Sequence, residues 1–384
     1  MIATMLLPIL LATPPAEPLS LRERVGLRVE PRITRRDAIG IVVGIWRDGK
    51  TDVFGFGRPS LAPGRDAPPD GRTLFEIGSV TKVFTGIALA DMAREGLVRA
   101  DDPVARYLPL GARVPDREGR AITLRSLSQH TSGLARITPK VFARSAVGRD
   151  PYAESTEADL LSYLAESRLR TTPGSTYAYS NTGAGLLGQA LSRRSGVSYE
   201  ELIESRICRP LGLADTKVTL TDRDRARLAD PYLRGGKPAK PWEFGVFAGA
   251  GAIKSTADDM LKFARASLGD VPSSTPEHLR VAMLDARVPG PKAGGPSTRI
   301  GLGWHIDKGP SGELDWHNGG TGGFRSFLAI DAARRFALVV LANSDAEVDS
   351  IANDLLIDLL DLDKTPQAPT PDPGKSSQSP QPSR

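Results

Sequence analysis

The sequence predicts an α/β fold, more narrowly α+β: one antiparallel sheet built from both ends of the chain, with covering helices and an inserted all-helical lobe. Three observations predict it. Strand-like apolar runs lie near the N-terminus, similar runs lie near the C-terminus, and segments with helical spacing fill the stretch between. At the N-terminal end, residues 39–46 (IGIVVGIW) and 51–56 flank Asp48-Gly49, which reads as strand, turn, strand. Helical patterns follow at 82–95, 157–167, 182–196, 199–206 and 256–266. Strand-like runs return at 300–306 (IGLGWHI), 324–330 (FRSFLAI) and 336–341 (FALVVL), with a turn at 331–335. Residues 346–362 then place apolar side chains at helical spacing, suited to covering one sheet face. The sheet lobe is therefore expected from about 20–80 and 290–364, and the helical lobe from about 81–289. A cleft between two such lobes is a usual place for an active site.

The two ends differ from this body. Residues 1–12 (MIATMLLPILLA) form an apolar run too short to span a bilayer, but suited to the hydrophobic region of a secretory signal. Residues 1–19 are read as an export segment, although no Lys or Arg precedes the run and no A-x-A site follows it. Residues 365–384 hold six prolines and a single hydrophobe, Ala368, and are expected to be disordered for want of apolar surface to bury. No other stretch approaches a membrane-spanning helix.

Composition excludes several functions. Lys and Arg number 50 against 45 Asp and Glu, a small excess with no basic run and no interleaved aromatics, so nucleic acid is not an expected partner. The only cysteine, Cys208, precludes an internal disulfide and any cysteine-ligated metal cluster, and reads as a small buried hydrophobe. The four histidines, His130, His278, His305 and His317, include no pair close enough in sequence to suggest a metal site. Asp101-Asp102 reads as a turn and helix cap, and Asp258-Asp259 as the first turn of a helix after Ser255-Thr256.

Three motifs carry chemistry. In F-E-I-G-S-V-T-K (75–82), Ser79 stands at a helix N-terminus and Lys82 one turn on, so both side chains share a face. A serine hydroxyl needs a base to become a nucleophile, and a desolvated lysine near other positive charge can serve. Alone, the pair reads more readily as an ordinary N-cap serine beside a surface lysine, and its context must decide. In Y-A-Y-S-N-T-G (177–183), Tyr179 needs nearby positive charge to act as a base, which Lys82 would supply. Asn181 offers its amide to a substrate carbonyl and to Lys82. The alternatives are a packed aromatic and an N-cap. In W-H-N-G-G-T-G-G-F (316–324), His317-Asn318-Gly319 enters a strand whose glycines let a substrate backbone approach, unless the segment is a hairpin turn. The amides of Ser79 and Gly320 suit an oxyanion hole.

Their order and surroundings resemble the serine β-lactamase and penicillin-binding protein family, in its class C-like branch, and within it the DD-carboxypeptidase/endopeptidase members. The resemblance covers about 35–362 and includes FEIGSVTKVFTGIALA, ITLRSLSQHTSGL, YAYSNTGAGLLGQAL, RPLGLADT and GAGAIKSTADDMLKF. It implies a β-lactamase/transpeptidase-like fold and acylation of Ser79 with Lys82 and Tyr179 sharing proton transfer. It further implies substrate contacts from Asn181, His317, Gly319 and Gly320, and no metal or organic cofactor. His130, in SQHTSGL, is expected to shape a loop. The implied substrate is a small peptide, with peptidoglycan as its source, or a β-lactam. The alternatives are a class C-type β-lactamase, an esterase of the same fold, and a β-lactam-binding sensor module. One departure stands out: His317-Asn318-Gly319 replaces the family's Lys-Thr-Gly. A histidine is only partly charged near neutrality, so carboxylate substrates are expected to bind more weakly as pH rises past the His317 pKa.

Overall fold

A computed structural model describes residues 19–47, 49–146, 150–309 and 312–360. The export segment, the tail and Asp48 of the expected turn lie wholly or almost wholly outside the described residues.

The chain opens with α1 (Leu21–Thr34), started by a reciprocal pair in which Ser20 caps the Glu23 amide and Glu23 returns to the Ser20 backbone. It continues into the hairpin β1 (Gly40–Arg47) and β2 (Lys50–Gly57). The main central helices are α2 (Thr81–Arg94), α3 (Glu157–Glu166), α4 (Asn181–Ser195), α5 (Ala257–Ser267) and α6 (Glu277–Asp285). The C-terminal part supplies β3 (Arg299–Ile300), β4 (His305–Gly309), β5 (Gly312–Gly320), β6 (Arg325–Asp331), β7 (Phe336–Ala342) and α7 (Asp349–Leu360). All seven strands form one antiparallel sheet in the order β2-β1-β7-β6-β5-β4-β3. The first and last strands of the chain thus meet inside the sheet, with Val43 opposite Val340.

The alternation of β1 sorts its side chains. Ile41, Val43 and Ile45 pack against α1 and α7 on one face, whereas Val42 and Trp46 join the large core on the other. That second face is covered by α5, which packs so closely that a Cβ at Gly44 would meet Leu261 Cδ1 at 2.9 Å. Thr256 caps α5, with Asp258 and Asp259 in its first turn. Asp102 accepts from the Arg99 amide and pairs with Arg106, and Cys208 is buried and unpaired.

Four differences from the sequence reading have physical causes. The expected strand 300–306 is interrupted, because 301–304 leaves the sheet to lie on α2; Gly303, at φ +88°, would bring a Cβ within 2.5 Å of the Lys82 carbonyl oxygen. WHNGG does not lead into a strand but ends one, β5. The helix α2 is buried from Thr81 to Met92 rather than on one face, because α4, α6 and the turn at Ala248–Gly251 surround it. The pattern at 199–206 divides into an α-helix, Tyr199–Ile203, and a wider π turn, Glu204–Cys208.

Candidate active site

Ser79 sits in a single 3₁₀ turn, Gly78–Val80, that feeds directly into α2. Gly78 adopts φ +49°, and a Cβ there would lie 2.6 Å from the Gly320 amide nitrogen. The neighbouring Ile77 carbonyl accepts from Ser326 Oγ at 2.7 Å. The serine turn is therefore pressed against the end of β5, and Ser79 and Gly320 line one cleft.

One helical turn on, Lys82 is buried, with Nζ 3.0 Å from Ser79 Oγ and 2.7 Å from the Ala250 carbonyl oxygen that it donates to. Burial, reinforced by the charge of Arg136, holds its amine well below the usual lysine range. Tyr179 lies half-buried at the cleft wall, with Lys82 Nζ 4.9 Å and Arg136 Cζ 4.8 Å from its ring centroid. Burial drives its phenol above the ordinary range; the Ser79 hydrogen bond and the Arg136 charge recover only part of that shift. The group brought toward neutrality is Lys82, whereas Tyr179 rests as a protonated phenol.

His130, which joins Lys82 and Arg136 in this electrostatic environment, presents the tyrosine. Its carbonyl accepts from the Ala178 amide at 2.7 Å, and its Nδ1 accepts from the Ser180 amide at 3.2 Å, so the residues flanking Tyr179 are both held. Ser180 then caps α4 through the Gly183 amide. Asn181 Nδ2 donates to the Tyr152 hydroxyl at 2.6 Å, and its buried Oδ1 has no partner among the described residues. One Nδ2 hydrogen is taken by Tyr152, which leaves the second for the expected donation to a substrate carbonyl, whereas Lys82 bonds to Ser79 and Ala250 instead of Asn181.

His317 requires the largest correction. It is fully buried and does not border the cleft. Burial holds its imidazole well below the usual histidine range, so it is neutral. Nδ1 donates to the Asn318 carbonyl oxygen at 2.6 Å, and Nε2 has no partner among the described residues. The expected His317-controlled binding of carboxylates therefore has no charge behind it. Asn318, in place of the family's hydroxyl, donates to Asp349 at the start of α7 at 2.5 Å. Gly319 and Gly320 do border the cleft.

The cleft measures about 730 Å³. Sequence reasoning missed Arg136, Tyr152, Arg234, Trp242, His305 and Arg325 in its lining. Arg136 lies just after the SQHTSGL segment and Tyr177 opens Y-A-Y-S-N-T-G, but nothing in their spacing signals a role. His305 hydrogen-bonds Tyr177 at 3.0 Å, stacks on Trp316, and is pushed down to about 4 by burial. Among the described residues no three His, Cys, Asp or Glu side chains are grouped as metal ligands.

The Beta-lactamase family model matches residues 27–362. A curated relative, the D-alanyl-D-alanine-carboxypeptidase/endopeptidase AmpH of Escherichia coli (strain K12), is 32% identical over 308 residues, covering 77% of this chain and 78% of its own. A beta-lactamase of the same organism is 26% identical over 358 residues, covering 86% and 90%. Among solved structures, a D-alanine carboxypeptidase AmpC from Burkholderia cenocepacia matches with TM-score 0.76 and 25% identity, covering 89% of this chain and 99% of that one. A class C beta-lactamase matches with TM-score 0.76 and 21% identity, covering 88% and 96%, a likeness of fold. The match extends through both ends of the sheet and the helices between, and the chain belongs to the beta-lactamase family of serine hydrolases.

Proposed function

We propose that this protein is a penicillin-interacting DD-carboxypeptidase/endopeptidase that cleaves peptidoglycan peptides through a Ser79 acyl-enzyme. The observation that carries the reading is Lys82 Nζ, desolvated and 3.0 Å from Ser79 Oγ beneath an open cleft. A neutral Lys82 accepts the Ser79 proton as Oγ attacks the peptide carbonyl. Charge gathering on the carbonyl oxygen is met by the Ser79 and Gly320 amides. The Tyr179 hydroxyl passes a proton to the departing amine nitrogen and is resupplied from Lys82, so the amide bond breaks with no net proton lost. Water then attacks the ester along the reverse relay and restores Ser79. Asn181 Oδ1 is the acceptor for a substrate N–H.

The AmpH relative favours peptide over β-lactam as substrate, and the absence of a charged Lys-Thr-Gly lysine agrees with weak β-lactam turnover. The apolar run at 1–12 supports export to the periplasm, where such peptides occur. Labelling with a fluorescent penicillin and release of D-alanine from a muropeptide test the reading. Both are expected from the unaltered protein and neither from Ser79→Ala. Ester hydrolysis without penicillin labelling or D-alanine release would make it an esterase, and labelling without turnover a sensor.

A further inference from the structure

A neutral lysine amine carries two hydrogens and one lone pair, so Lys82 can take the Ser79 proton only when that lone pair faces Oγ. An ammonium, with three equivalent donors, needs no such aim. The lysine stem is flexible and its donors rotate, and the hydrogen bond to the Ala250 carbonyl oxygen at 2.7 Å is what holds Nζ. Fixing one hydrogen there restricts the lone pair to the remaining positions on Nζ, with Ser79 Oγ 3.0 Å away. The position of the Ala250 carbonyl is therefore part of the aim.

Ala250 belongs to the Ala248–Gly251 turn, which is alanine and glycine throughout and has no polar side chain of its own to anchor it. The turn lies so close to α4 that a Cβ at Gly249 would meet Gly188 Cα at 3.0 Å. Its polar anchor comes from α2. Thr85, one turn past Lys82 on the same side of the helix, has Oγ1 2.8 Å from the Gly249 carbonyl oxygen and 3.2 Å from the Thr81 carbonyl oxygen. A threonine inside a helix often donates to the carbonyl four residues back, which here is Thr81. The Tyr199 hydroxyl, 2.7 Å from Thr85 Oγ1, has no other hydrogen-bond partner among the described residues. Burial pushes its phenol above the ordinary range, so it keeps its hydrogen and gives it to Thr85. The Thr85 hydrogen is then directed at the shorter contact, Gly249. One line of donors thus runs from Tyr199 through Thr85 to Gly249, and the next carbonyl along the chain holds Lys82. Thr85 and Tyr199 are buried and neither lines the cleft, so neither touches a substrate.

We propose that Thr85, directed by Tyr199, is a positioning residue that aims the Lys82 lone pair at Ser79 by fixing the turn that carries the Ala250 carbonyl. The assignment rests on the acyl-transfer reading of Ser79 and deepens it. α2 grips the same turn at two successive carbonyls, and only the Thr85 grip is independent of the protonation of Lys82. A hydroxyl pair that served packing alone would alter stability and leave acylation of the folded protein intact.

The test separates binding from chemistry. Labelling by a fluorescent penicillin is followed over a range of concentrations, which gives the dissociation constant of the encounter complex and the limiting acylation rate. Thr85→Val keeps the branched shape and removes the hydroxyl. It is expected to lower the limiting rate at least about tenfold, as misplacement of a reacting group implies, with the dissociation constant unchanged. Thr85→Ser, which restores the hydroxyl, is expected to return the rate to within about threefold, and Tyr199→Phe to lower it about threefold, the size of one neutral hydrogen bond. A rate unchanged in Thr85→Val, an equal loss in Thr85→Ser, or a loss confined to the dissociation constant overturns the assignment. If a thermal melt shows that Thr85→Val does not fold, Tyr199→Phe decides, and an unchanged rate there overturns it. The same proteins are compared through the burst of p-nitrophenol from p-nitrophenyl acetate, which reports Oγ attack on a second substrate. A burst without penicillin labelling defeats the peptidase reading and leaves the burst rates to decide the role of Thr85. Neither labelling nor burst in the unaltered protein overturns both.

Discussion

At the scale of single residues, the proposed mechanism depends on the burial of Lys82 away from water. A lysine in solvent is charged near neutrality and cannot accept the serine proton; enclosed by α2 and the Ala248–Gly251 turn, it loses the hydration that favours its ammonium form. Arg136 pushes in the same direction from over the Tyr179 ring. Removing that cation makes the ammonium form easier to reach, so the Lys82 pKa rises toward its usual value. Arg136→Gln is therefore expected to move the acid limb of the pH–kcat/KM profile to higher pH, measured with a neutral ester to keep substrate charge out of the comparison. A limb that stays in place, or moves to lower pH, would remove Lys82 as the base. The S-x-x-K spacing made the Ser79–Lys82 pair legible in the sequence. Arg136 was not legible, because it reaches the pair by folding back from a loop more than fifty residues away.

At the scale of elements, two contacts set the geometry. The Gly78–Val80 turn abuts the end of β5, and His130 grips the backbone on both sides of Tyr179. The first contact is the tighter. Gly78→Ala would put a side chain at φ +49° and drive it against the Gly320 amide, forcing apart the two backbones assigned to the oxyanion. The expected outcome is a loss of about 100-fold in kcat/KM, the order that a small misplacement of reacting groups produces, with the fold retained. Steady-state kinetics beside a thermal melt checks it, and an unchanged kcat/KM would show that this contact does not set the site. Most strand and helix positions were readable from periodicity alone, as in β1, β7 and α4. The failures fall where an element is shaped by a neighbour: 301–304 bends onto α2, and α2 itself is buried on every side.

At the scale of the molecule, the two ends of the chain are joined by more than the β1–β7 ladder. Asn343, fully buried after β7, accepts from the Gly40 amide at 2.6 Å and donates to the Pro59 and Asp230 carbonyl oxygens at 2.9 and 3.0 Å. One side chain thereby links the start of the sheet, the segment after its first hairpin, and the loop leading toward the cleft. Asn343→Ala leaves those backbone groups without their partner and is expected to cost about 3 kcal/mol of stability, read from urea unfolding. A change below about 0.5 kcal/mol would show that water or a backbone shift replaces the amide.

The sequence by itself determined the α+β class, the assembly of one sheet from both ends, and the order and spacing of the three motifs. These are properties of segments a few turns or strands long, where hydrophobic period and residue type act locally. Only the tertiary structure decided which groups are charged. It made His317 neutral, left Tyr179 protonated and lowered Lys82. Desolvation and Coulomb interaction depend on what packs against a group from anywhere in the chain, and the sequence carries no local mark of that.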